Sequence, residues 1–244
     1  MINNVVNLIA GLFFLIGVII AIKVKDNKTL ISYSVGMAFT VLILLLTIDI
    51  IPEAYELLNN HKIIYMLIGS IVGFLVLFVI EKLVPHHNHY EEEKKHHHNN
   101  HLNHIGIMTS IALIIHNIVE GMSIYTVASH DLKTGLIYSL AVGLHNIPFG
   151  VEIASLFGNK IKSKKSIILI ICLILSTFIG GLILYIFNSN LSDLLLGMLL
   201  SITIGMVIYL VFNELFIELK EHFNKAAILG IVTGILLMVI GVLL

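Results

Sequence analysis

The sequence predicts an all-α polytopic membrane protein of eight transmembrane helices, and three observations carry that prediction. The chain of 244 residues is 58% hydrophobic and 12% charged, with a mean hydropathy of +1.01; a water-soluble domain would carry about 25% charge. Its apolar stretches are continuous runs near the ~20 residues a helix needs to cross hydrocarbon, not the alternating segments of about ten residues found in a spanning strand barrel. Its lysines fall on alternate connections. A net charge of −1, with 13 His counted as neutral, supplies no basic field for nucleic acid. The single cysteine, Cys172, excludes a disulfide framework and a thiolate metal cluster.

Cutting the apolar runs at their polar breaks places helices at 4–22, 31–51, 63–84, 105–129, 134–158, 166–187, 192–218 and 225–243. The first run opens on Met1-Ile2-Asn3-Asn4 without a basic segment, so it reads as a retained span and not a cleaved signal. The connections after helices 1, 3, 5 and 7 hold Lys23, Lys25, Lys28, Lys82, Lys94, Lys95, Lys160, Lys162, Lys164, Lys165, Lys220 and Lys225; the others hold only Lys62 and Lys133. The Lys-rich side is then cytoplasmic and both termini lie outside. Residues 1–244 form a single transmembrane domain, and a prokaryotic plasma membrane is the expected location.

Between helices 3 and 4, residues 85–104 gather His86, His87, His89, His96, His97, His98, His101 and His104 in a polar stretch. Such a stretch cannot bury a core and is expected to be a disordered cytoplasmic loop, either a weak metal chelator or a plain hydrophilic linker. A faint repeat links the ends of helices 2 and 7. Asp49, Glu53 and Glu56 align with Glu214, Glu218 and Glu221 at a constant offset of 165 residues. The two helices run oppositely, which is the pattern of an inverted repeat.

Charged groups at membrane depth are expensive, so their positions are informative. Helix 4 carries His116-Asn117-Ile118-Val119-Glu120-Gly121 and helix 5 carries His145-Asn146-Ile147-Pro148-Phe149-Gly150, both near mid-span. His116 and Glu120 share a face one turn apart. Glu152 follows His145 on the same face. A lone His on an apolar helix is usually a hydrogen-bonded core residue, but two His-Asn pairs and a carboxylate at one depth call for more. Imidazole and carboxylate are good ligands for zinc and other divalent first-row ions, and the ion's charge would compensate the buried acid. Asp49, Glu53, Glu56 and Glu214 stand near helix ends, and with Glu152, which would compensate the ion toward the exit, they could line a cation route.

These motifs, with Asp-Ile-Ile-Pro-Glu-Ala at 49–54 and the His-rich connection, resemble the ZIP (zinc/iron-regulated transporter-like) family across essentially all eight spans. The resemblance implies a 3+2+3 helix arrangement with helices 4 and 5 lining a metal path. It also implies uptake of a divalent metal, zinc above all, with iron, manganese, cobalt or cadmium as further candidates. His116, Glu120 and His145 match the family's transport ligands, and Asn117 and Asn146 its accompanying polar positions. Asp49 and Glu56 match positions near the outer entrance. Where bacterial members commonly carry a Glu that can bridge two metals, this chain has Phe149, so a single-metal site is expected. The metal ion and the lipid bilayer are the expected partners, with no organic cofactor.

Two other classes compete. An intramembrane zinc hydrolase could use the same ligands, but there is no His-Glu-x-x-His motif and no obvious general base. A metal-sensing receptor would need a larger soluble output domain. The chain is therefore expected not to be an enzyme. The Gly69-x-x-x-Gly73 and Gly230-x-x-x-Gly234 pairs fit close helix contacts, within one bundle or between the protomers of a homodimer.

Overall fold

A computed structural model describes residues 2–24, 27–58, 62–83, 94–187 and 192–243. Eight helices account for nearly all of them, and no strand occurs among the described residues. They are α1 (Ile2–Lys23), α2 (Asn27–Leu44 continued through Leu45–Ile50 and Ile51–Leu57), α3 (Lys62–Leu83), α4 (Lys94–His130), α5 (Leu132–Phe157), α6 (Lys164–Phe187), α7 (Asp193–Leu210 continued through Val211–Leu215 and Phe216–Glu221) and α8 (Lys225–Leu243). Seven are long and apolar enough to cross a membrane, while the apolar stretch Lys225–Gly241 of α8 is shorter. The protein is polytopic, and α3 turns Ile63, Ile64, Leu67, Ile68 and Ile71 outward, as a lipid-facing helix does.

The closest helix pairs follow an exchange of α1 with α6, α2 with α7, α3 with α8 and α4 with α5. Close contact of α1 with α5 is matched by α6 with α4, and α2 with α8 by α7 with α3. Small residues make these contacts. A Cβ added to Gly150 of α5 would lie 2.1 Å from the Phe14 carbonyl oxygen of α1, and one added to Gly180 of α6 would lie 2.0 Å from that of Ile118 in α4. Backbones approach this closely only where one helix offers a glycine at the crossing. Gly69 and Gly73 meet Ser201 and Ile202 of α7, and Gly230 and Gly234 meet Tyr33, Met37 and Thr40 of α2. Both Gly-x-x-x-Gly pairs therefore serve contacts inside one bundle.

Both α2 and α7 contain a wide, π-helical turn, over Leu45–Ile50 and Val211–Leu215. These turns sit at nearly the same offset as the aligned acids and contain Asp49 and Glu214. In α2 the turn ends just before Pro52, whose ring would press on the carbonyl four residues back in a regular helix. Each helix runs beyond its predicted end, carrying Glu53 and Glu56 of α2 and Glu221 of α7 in helical register.

α4 starts at Lys94 and not at the expected 105, so residues 94–104 continue its helix. Extending an existing helix costs far less than nucleating one, and Lys and His are adequate helix formers. His86, His87 and His89 lie outside the described residues, as do the side chains of His96, His97, His98 and His101; His104 is described and half-buried. Asp131 caps α5, accepting from the backbone N–H groups of Lys133 and Thr134 and from the Thr134 hydroxyl. These bonds hold its carboxyl below the usual range.

At the far end of α7, His222 Nδ1 lies 2.8 Å from Glu218 Oε1. Hydrogen bonding to that carboxylate raises the imidazole above its ordinary value of 6.5. A raised folded-state value means the contact stabilises fully below about pH 6.5 and fades as pH climbs through the raised value. Thermal unfolding in detergent should therefore occur at lower temperature at pH 8.5 than at pH 6, and His222→Gln should flatten that difference.

Candidate metal site

The site begins with helix periodicity. His116 and Glu120 are one turn apart on α4, and His145 comes from α5, which runs antiparallel to it. α5 can approach α4 because Gly135 seats Ala128, while Gly121 lets α4 lie against the Thr177 carbonyl of α6. His145 Nε2 is 3.1 Å from Glu120 Oε1, and His116 Nε2 is 3.8 Å from the same oxygen. The residues His116, Glu120 and His145 are 2%, 3% and 7% exposed, and a ligand atom from each lies within 4.8 Å of the others. A tetrahedral zinc ion spaces its ligand atoms by about 3.4 Å, so a small rearrangement of these side chains would enclose one. Both ring nitrogens of His116 and Oε2 of Glu120 lack a hydrogen-bond partner among the described residues. Leaving polar groups buried without partners is costly, and a cation held between them would engage the Glu120 carboxylate and one ring nitrogen of each imidazole.

Asn117 and Asn146 are buried and adjoin these ligands in sequence, each with an Oδ1 that has no hydrogen-bond partner among the described residues. Asn146 also ties α5 to α1, its Nδ2 donating to the Ala10 carbonyl at 3.2 Å. Asn7 of α1 in turn donates to the Gly121 and Thr177 carbonyls, at 2.7 and 3.2 Å. A helix that carries no ligand thus holds together the three that pack around the site.

A cavity of about 500 Å³ reaches His145 from the end of the bundle bearing the Lys-poor α4–α5 connection. Asp49, Tyr138, Thr134, Val127 and Met238 line it. Asp49 is half-buried, and Glu53 accepts from the Ser123 hydroxyl of α4 at 3.1 Å. Glu56 is exposed. The three acids of α2 thus step from the surface toward the His-Glu-His group.

Toward the opposite, Lys-rich end, Glu152 is wholly buried. Further along, Glu214 is 5% exposed and joins His104 of α4 and Glu81 of α3, with ligand atoms within 4.8 Å of one another. Sequence reasoning does not single out Glu81, because a glutamate next to Lys82 at a helix end looks like a solvated charge. The available signal is its depth, level with Glu214 and the start of α4 once the spans are laid side by side.

A sequence model of the family described as ZIP zinc transporter matches residues 86–241. The zinc transporter ZupT of Streptococcus mutans is 31% identical over 255 residues, spanning 97% of this chain and 94% of its own length. The zinc transporter ZupT of Chlorobium luteolum is 30% identical over 254 residues, spanning 97% and 95%.

Proposed function

The chain belongs to the ZIP family of zinc transporters, and from that premise we propose that it carries zinc into the cytosol through the His116–Glu120–His145 site. It is a multi-pass protein of the plasma membrane and a transporter, not an enzyme. The observation that carries the proposal is the cavity, which opens at the Lys-poor end and stops at His145. By the positive-inside rule that end faces outward. Zinc is collected along Glu56, Glu53 and Asp49, loses water to His116, Glu120 and His145, and leaves toward Glu81, His104 and Glu214. Asn117 and Asn146 assist by presenting amide oxygens.

Alternating access supplies the movement. Helices α1, α4, α5 and α6 form one tightly packed unit holding all three ligands, flanked by the α2–α8 and α3–α7 pairs. Rocking that unit against the pairs would close the cavity at the Lys-poor end and open the other. The inverted symmetry of the packing makes the two states near mirror arrangements of the same contacts.

Accumulation of radioactive zinc in proteoliposomes tests the direction and the activity, and absence of accumulation would defeat the proposal. A metal count adds the site. With Phe149 removing a bridging carboxylate, the site between α4 and α5 is expected to hold one ion, abolished by His116→Ala. Glu214→Gln should remove only a weaker ion at the other cluster. Two ions lost together on His116→Ala would contradict the single-metal site.

A further inference from the structure

Glu152 is wholly enclosed, and neither of its carboxylate oxygens has a hydrogen-bond partner among the described residues. A buried acid kept in that state needs a reason, since leucine or alanine would fill the space without the desolvation penalty. Its placement suggests one. Glu152 lies seven residues beyond His145 on the same face of α5, about 10 Å along the helix axis. Gly135 lies at Ala128, and Gly106 at Leu156 and Phe157. That antiparallel register sets Glu152 level with the Thr109–Ala112 turn of α4. Thr109 is itself fully buried, with a hydroxyl that has no hydrogen-bond partner among the described residues.

This level is midway along the route. His116 and His104 are separated by twelve residues of one helix, about 18 Å, and nothing between them on α4 carries a charge. Between His145 and Glu152 on α5 stands Phe149, fully buried, its ring 6.3 Å from that of His145 and set edge-on to it. We propose that Glu152, assisted by the Thr109 hydroxyl, is an intermediate station for the transported divalent cation, reached when the Phe149 ring swings aside. One carboxylate and a hydroxyl bind weakly, which suits a stop that the ion must leave again. The proposal rests on the transport reading above and adds a residue to its path.

Glu152→Gln keeps the shape and removes the anion. In proteoliposomes its maximal zinc uptake rate is expected to fall roughly tenfold, with the KM for external zinc unchanged, since only a step after loading is touched. Zinc affinity of the purified variant should match wild type, which also shows that it is assembled, and Glu152→Asp should recover part of the rate. Wild-type uptake by Glu152→Gln would overturn the station. So would loss of dependence on an imposed pH gradient at an unchanged rate, which would make Glu152 a proton carrier. Should the variant not assemble, anomalous scattering from cadmium-soaked wild-type crystals decides: a peak beside the Glu152 carboxylate supports the station. No peak there, at a concentration that fills the His116 site, overturns it. A wild-type protein that moves no zinc would instead defeat the transport reading itself.

Discussion

Glu120→Ala is expected to lower zinc uptake by the reconstituted protein at least a hundredfold while leaving the protein in the membrane. Glu120 is the one anion of the three-residue group, and its Oε1 lies between His145 and His116 at 3.1 and 3.8 Å. Without it, a dication would have to leave water for two neutral imidazoles at mid-membrane depth. Even with an effective dielectric near 20, one unit charge at 4 Å is worth about 4 kcal/mol, and a dication gains twice that. A hundredfold loss requires only about 2.7 kcal/mol, so the effect survives generous offsetting by hydration. Glu120→Gln separates charge from shape: it should be nearly as inactive as Glu120→Ala if the anion matters and nearly wild type if only packing does. Zinc uptake into proteoliposomes, scaled to inserted protein, gives the answer. Wild-type rates for both variants would remove the site from the transport path.

The same residues show why the site is legible before the fold is known. A His and a Glu at i and i+4 share a helix face by periodicity alone, and a short connection forces the next helix to return alongside. His145, at matching depth, has only to face inward. The eight helices are legible for an equally simple reason, because hydrocarbon tolerates a backbone only when its polar groups are bonded within the segment. What escapes are features with no hydropathy signature. The wide turns at Leu45–Ile50 and Val211–Leu215 each add a residue to a helical turn without breaking the hydrophobic span around it. They nevertheless decide how Asp49 and Glu214 are presented. Helix α4 extends to Lys94 because a helix already formed recruits polar neighbours cheaply, something composition does not register. Asn146 reads as a metal-assisting residue, yet its amide donor serves α1 through the Ala10 carbonyl. A pattern of residues can mark a polar group as important without saying which partner it serves.

That dependence of the ligands on α1 leads to the second large effect. Gly150→Ala is expected to lower both thermal stability and zinc affinity, although Gly150 touches no ligand. Its added Cβ would stand 2.1 Å from the Phe14 carbonyl oxygen and 3.0 Å from the Gly17 Cα. Both obstacles are backbone, so no rotamer change relieves them, and α1 must move away from α5 by roughly an ångström. Overpacking of this kind costs about 1–3 kcal/mol, and rigid obstacles place it at the upper end. Separation would also stretch the Asn146 bond to Ala10, already 3.2 Å, and the Ser139 bond to the Val6 carbonyl, 2.7 Å. His145 lies only about a turn away, and its position against Glu120 depends on where α5 rests. Gly241→Ala is the matched control, since its Cβ would meet the Ala141 carbonyl at an ordinary 3.8 Å. Thermal unfolding and zinc titration of the two purified variants should separate them clearly. Unchanged stability and affinity in Gly150→Ala would mean that α1 is not what holds the ligand-bearing helices in register.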